Sequence, residues 1–182
     1  LWAAQKPHID WSARFKQLED LCDKYRSSSH SYDVLVPSSG GKDSRYVAHF
    51  LKNSFGMNPL TITWAPNQWT EIGTKNFRNQ SDVGSSNILF TPDPSTHRKL
   101  TQLSFTRLGH PFQPFNIGQR TLAPRLATQL GVPFIMYGEN VAEYSNKTTD
   151  NLLAEVNPDN YLGFNISNPG FRIAGLNIAE LE

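Results

Sequence analysis

The residues best suited to chemistry lie together in Ser38-Ser39-Gly40-Gly41-Lys42-Asp43-Ser44. Three hydroxyls, two glycines, a lysine and a carboxylate in seven positions suit an anion. The aliphatic run Val34-Leu35-Val36 just before them has the pattern of a strand covered on both faces. Glycines without a Cβ let a ligand approach the main chain and adopt backbone angles closed to other residues. From Ser44 onward the spacing turns helical, with Val47, Phe50 and Leu51 on one side and Gly56 placed to end the helix. The turn therefore falls at a helix N-terminus, where free amides and the helix dipole favour negative charge. The stretch reads as a phosphate cradle.

A nucleoside triphosphatase P-loop needs four residues between its first glycine and Gly-Lys-Ser/Thr, and a dinucleotide loop needs Gly-x-Gly-x-x-Gly; neither is present. Ser39-Gly40-Gly41-Lys42-Asp43-Ser44 instead resembles the SGGxDS loop of the ATP pyrophosphatases, or PP-loop family. The resemblance implies ATP as substrate, gripped by its β- and γ-phosphates while AMP is transferred from the α-phosphorus. It further implies that Ser39 and Ser44 offer hydroxyls, Gly40 and Gly41 amides and Lys42 charge, while Asp43 holds Mg²⁺ or orients the loop. A plain Gly-Gly turn with a Ser or Asp cap is the alternative; six matched residues between strand and helix favour the loop.

The surrounding pattern supplies the positioning elements. Residues 1–8 are unpatterned, and Phe15, Leu18, Cys22 and Tyr25 mark an amphipathic helix from Asp10 or Ser12 to about Arg26, a lid for one sheet face. A second strand spans Asn58 to Trp64, so the connection from the first is a right-handed crossover in a parallel sheet. Ligands lie beyond the carboxyl ends of such strands. Thr63 and Trp64 are therefore candidates to line an adenine pocket, with Trp64 equally suited to a core. A helix over 69–81 weakened by Gly73, a third strand over Asn87–Thr91, and a helix capped by Ser95 with Leu100, Leu103 and Leu108 inward follow. His97, Arg98, Lys99 and Arg107 read as its solvated face. His110 to Arg120, with two prolines around Gln113, reads as a stiff connection, followed by a helix to Leu130 and a fourth buried strand over Val132–Tyr137. At its carboxyl end come Gly138, Glu139, Asn140 and Glu143, a second group of polar residues where the fold expects its ligand. The expected fold is α/β, a doubly wound parallel sheet with helices on both faces and the loop at its centre.

The 182 residues carry a formal net charge of +1. That is enough chain for one domain with a sizeable core, and no basic run is present to neutralise a nucleic acid backbone. Cys22 is the sole cysteine, which excludes an intrachain disulfide or a Cys-x-x-Cys zinc site. Its apparent helical setting reads as that of a small buried hydrophobe. The five histidines, His8, His30, His49, His97 and His110, lack metal-ligand spacing. With no spanning apolar run and no signal-peptide core, the expected location is cytoplasmic. The chain opens at Leu1 and closes without a terminal signal, so the expectation is a piece of a longer protein. Its parts are residues 1–31, an N-terminal segment and helix; 32–146, an ATP-binding domain; and 147–182, a C-terminal extension.

Three segments together, Val36 to Ser44, Pro111-Phe112-Gln113-Pro114-Phe115 with Gly118-Gln119, and Gly138-Glu139-Asn140 with Ala142-Glu143-Tyr144, resemble the N-acetyl sugar amidotransferases. These are PP-loop enzymes of surface-polysaccharide sugar biosynthesis, and the likeness runs from about Ile9 to Asn146. It implies that an acetamido oxygen attacks the α-phosphorus of ATP and that ammonia then displaces AMP to leave an acetamidino group. By the same resemblance Lys42, Asp43 and Glu139 are catalytic and Gly138 meets the nucleotide. Gln113, Gln119, Asn140 and Glu143 meet an N-acetylated, nucleotide-linked sugar. A separate glutaminase and channel subunit supply the ammonia in this family. Two alternatives stay open: an RNA-modifying PP-loop enzyme of the thiolation or lysidine type, and a nucleotide-binding module without turnover.

Overall fold

The computed structural model describes residues 9–28, 31–139 and 170–181. They form an α/β, Rossmann-like arrangement with a three-stranded parallel sheet in the order β1 (Val34–Pro37), β2 (Pro59–Trp64), β3 (Ser86–Phe90). Register pairs Leu35 with Leu60 and Ile62 with Ile88. Five helices accompany it: α1 (Trp11–Tyr25), α2 (Lys42–Phe55), α3 (Glu71–Arg78), α4 (Pro94–Leu108) and α5 (Gln113–Leu130). None of the described helices is long and apolar enough to cross a membrane.

Alternation along β1 divides the core. Val34 and Val36 point to one face, where they pack with Cys22 of α1 and with Ala48, Leu51 and Phe55 of α2. Leu35 points to the other, joining Leu60, Ile62, Val132 and Ala123 of α5. β1 is buried on both sides, as its unbroken aliphatic sequence requires. Cys22 is fully buried, and burial pushes its thiol pKa up, which fits a packing role.

The expected fourth strand is reduced to one parallel bridge, Leu35 with Ile135. The Leu35 amide donates to the Phe134 carbonyl and the Met136 amide donates to the Leu35 carbonyl, each at 2.9 Å. The next β1 residue facing this side is Pro37, which has no N–H. The ladder stops there, on the side of β1 away from β2, and the chain at 137–139 is released from the sheet.

Other boundaries shift for local reasons. α2 starts at Lys42 rather than Ser44, with Gly41 as its cap residue. Asp93, not Ser95, caps α4 by accepting from the Thr96 amide at 2.7 Å, leaving Pro94 in the first turn, which tolerates proline. That hydrogen bond holds the Asp93 carboxyl below its usual pKa. The stiff connection ends early, because α5 begins at Gln113 with Pro114 in its first turn and runs on through Pro124. On α4 the buried residues are His97 and Ser104, while Leu108 is exposed, so the inward face is rotated from the leucine stripe. The 69–81 helix is shorter, α3 followed by a 3₁₀ turn over Asn79–Val83.

Asp33 is a buried carboxylate that the sequence pattern does not single out. It accepts from the Ser27 and Asn58 amides, each at 2.6 Å, and ties the chain entering β1 to the chain entering β2. Asp33→Ala removes the carboxylate that accepts from the Ser27 and Asn58 amides in a part-buried setting, and urea denaturation is expected to register a loss of about 2 kcal/mol.

Candidate active site

Ser38 directly follows β1 with all its polar atoms engaged. Its amide donates to the Ile62 carbonyl at 2.8 Å, and its carbonyl accepts from Thr63 Oγ1 at 2.7 Å. Its hydroxyl shares a 2.9 Å hydrogen bond with Ser44 Oγ and accepts from the Gly40 amide at 3.3 Å. The loop is thus closed on itself from the inside. Ser38 lies in the stretch that the sequence singles out but carries no assigned role there; the hydroxyl run Ser38-Ser39 is the signal available, and nothing in the sequence shows which of the two turns inward.

This internal network alters two expected roles. Gly40 spends its amide on Ser38, so its contribution is conformational: φ is +83°, and a Cβ there would stand 3.0 Å from the Phe77 backbone. Ser44 commits its hydroxyl to Ser38 Oγ and the Gly41 carbonyl. Ser39, in contrast, is exposed and has no hydrogen-bond partner among the described residues.

The outward surface of the turn consists of donors. Among the described residues, the amides of Ser39, Gly41, Lys42, Asp43 and Ser44 have no acceptor. α1, α3 and α4 are closed at their N-termini by Asp10, Thr70 and Asp93 side chains. α2 has only Gly41 there, with no side-chain cap. Lys42 and Asp43 are exposed in its first turn. An uncapped N-terminus with neighbouring N–H groups and a lysine is a ready anion site.

Gly138 is brought to the same place. A Cβ on it would lie 2.9 Å from the Ser44 amide nitrogen and 3.0 Å from the Asp43 carbonyl carbon, so only glycine lets this segment rest on the start of α2. Glu139, next in the chain, is exposed. Because β2 and the 132–137 segment lie on opposite sides of β1, the loop stands at the point where strand order reverses, the position ligands favour in open α/β sheets. Asn140 and Glu143 lie outside the described residues. Among the described residues no group of three histidine, cysteine or acidic side chains is assembled for a metal. One or two carboxylates suffice for Mg²⁺ when phosphates complete its shell, and Asp43, with Glu139 on the following segment, fits that limited demand.

A cleft of about 210 Å³ opens beside Ser39. Thr63, Trp64, Trp69, Phe115, Gln119 and Gln68 contribute to its walls. The two strand-end candidates, Thr63 and Trp64, and one of the two glutamine candidates are thereby gathered around one space. Trp64 stacks on Phe90 with centroids 4.9 Å apart and leans on α5 at Gly118, where a Cβ would come within 2.3 Å of its ring. It serves both core and cleft. Gln113 is elsewhere: its Oε1 accepts from the Ala174 amide at 2.7 Å and its Nε2 donates to the Arg172 carbonyl at 3.4 Å. It buckles the C-terminal turn, with Ala174 buried at φ +55°, onto the head of α5.

No protein-family model matches the chain, and no curated protein matches it either. Residue chemistry and geometry therefore carry the functional argument.

His97, expected on a solvated face, is 8% exposed, with Nε2 buried and unpartnered and its ring 6.2 Å from that of Trp64. Burial holds its pKa below the ordinary 6.5. Protonation therefore favours the unfolded chain: stability is full above pH 6.5 and is lost as pH falls through the folded-state value. Denaturation midpoints measured across this range should drop on acidification, and His97→Leu should flatten that part of the profile. For the loop, Gly40→Ala meets both a left-handed backbone and the Phe77 main chain, whereas Gly109, at φ +65°, has nothing within 4 Å of a built Cβ. Thermal or urea unfolding should show Gly109→Ala costing about 1 kcal/mol and Gly40→Ala at least about 3 kcal/mol.

Proposed function

We propose that this chain binds ATP with its phosphates on the loop 38–44 and its base in the adjoining cleft, and transfers AMP to an acceptor with release of pyrophosphate. The observation that carries the proposal is the row of unpartnered amides at the uncapped start of α2, beside Lys42 and a neutral aromatic cleft. On this reading the described sheet, with its β1-centred strand reversal, belongs to a doubly wound fold of the PP-loop type.

The loop amides and Lys42 would neutralise negative charge where it concentrates on the departing pyrophosphate, and their value lies in being in place beforehand. Asp43, with Glu139 close by in sequence to Gly138, would hold Mg²⁺, which adds charge neutralisation at the same oxygens. The cleft is below the roughly 300–1,000 Å³ of sites enclosing a whole drug-sized ligand. It suits one heterocycle, with ribose and phosphates running out past Ser39.

The resemblance of the loop, the 111–119 segment and Gly138-Glu139 to N-acetyl sugar amidotransferases supplies the acceptor. The acetamido oxygen forms a bond to the α-phosphorus as the bond to the β-phosphate bridging oxygen breaks. Ammonia then adds to the imidate carbon and AMP departs with the former carbonyl oxygen, giving an acetamidino sugar. Such chemistry turns a poor electrophile into one with a good leaving group. Ammonia would arrive free or from a separate glutaminase through a channel partner.

AMP and pyrophosphate release should be measured with N-acetylated nucleotide sugars plus ammonium, with transfer RNA, and without acceptor. Sugar-dependent release is the expected result; release only with transfer RNA would move the chain to the RNA-modifying enzymes. Nucleotide binding with no release under any condition would leave a binding module. Asp43→Ala, an exposed position, is expected to abolish AMP formation with an unchanged unfolding midpoint, and undiminished AMP formation would remove Asp43 from the mechanism.

A further inference from the structure

We infer that Gln119 reads the edge of the nucleotide base, and that it rather than a sugar-binding role sets what enters the cleft. This rests on the ATP reading above and names the residue that would give it base selectivity.

The polar groups of the cleft divide into committed and free. Thr63 Oγ1 donates to the Ser38 carbonyl and accepts from Asn87 Nδ2 at 3.1 Å. Thr70 Oγ1 accepts from the Gly73 amide at 2.9 Å, capping α3. Among the described residues Ser39, Gln68 and Gln119 have no partner, and no charged side chain lines the space. Ser39 belongs to the phosphate end. Trp64 Nε1 is also without a partner but is buried, so recognition of a guest at the open side of the cleft falls to the two neutral amides of the exposed Gln68 and Gln119.

Of the two, Gln119 is the better fixed. It stands on α5 four residues after Phe115, so both side chains share a helix face, whereas Gln68 lies in the connection after β2. The aromatic walls are braced from behind, Trp64 by Phe90 and Trp69 by Phe77 at 5.1 Å. Gly118 sets how far Trp64 leans toward α5. The space therefore suits a flat, uncharged ring between apolar surfaces. A glutamine amide offers a donor and an acceptor side by side, the complement of the adenine amino group and its neighbouring ring nitrogen. A carboxylate there offers acceptors only, which suits the adjacent N–H donors of guanine and opposes the adenine ring nitrogen.

Calorimetric titration of the full chain with Mg·ATP, Mg·GTP and Mg·tripolyphosphate tests this. The unmodified chain should bind ATP more tightly than GTP, and both more tightly than tripolyphosphate. Gln119→Glu should lower the ATP-to-GTP affinity ratio about tenfold or more, while tripolyphosphate, which has no base, corrects for the added charge. Gln119→Ala should weaken ATP without affecting tripolyphosphate. An unchanged ATP-to-GTP ratio in Gln119→Glu overturns the inference, as does ATP binding no tighter than tripolyphosphate; both leave the phosphate loop standing. Failure of all three probes to bind overturns the loop reading as well.

Discussion

Ser38 is the constraint on which the site depends. Four hydrogen bonds leave this one residue, two from its backbone to β2 and two at its hydroxyl to the loop and to α2. Together they fix the turn from within, while its remaining amides have no acceptor among the described residues, that of Ser44 lying against Gly138. A turn that satisfied its donors internally would be more stable in isolation and useless for binding.

The same division of labour runs through the cleft. Thr63 and Thr70 hold the scaffold, and the side-chain groups left over are a hydroxyl, two amides and the buried indole N–H of Trp64. Gly40, Gly118 and Gly138 act alike at three close approaches, where the loop meets α3, Trp64 meets α5 and the 138 segment meets α2. Each admits a contact that any side chain would block. The site is assembled by subtraction as much as by the side chains it displays.

Much of this was legible from local sequence. Val34-Leu35-Val36 could only be a central strand, Gly56 ends α2 in the left-handed conformation, and the loop's place between β1 and α2 follows from spacing alone. What was not legible depended on distant partners. Gln113 looked like a site residue because it sat in a proline-aromatic motif, yet its amide is taken by Arg172 and Ala174, some sixty positions away. His97 looked solvated because basic residues follow it, but helix rotation, fixed by packing on other elements, turned it inward with Ser104. Asp33 was invisible for the same reason: its value lies in two amides that only the fold brings to it.

Pro37 has a mechanical consequence. Among the described residues no backbone hydrogen bond joins the two segments past Met136, so the sheet is buttoned at a single point on that side. Above the button, the two lips meet through the packing of Gly138 on the start of α2. One missing N–H thus ends the hydrogen-bonded ladder beside the loop, and leaves the main chain there to be positioned by side-chain-free packing at Gly138 instead of by the sheet.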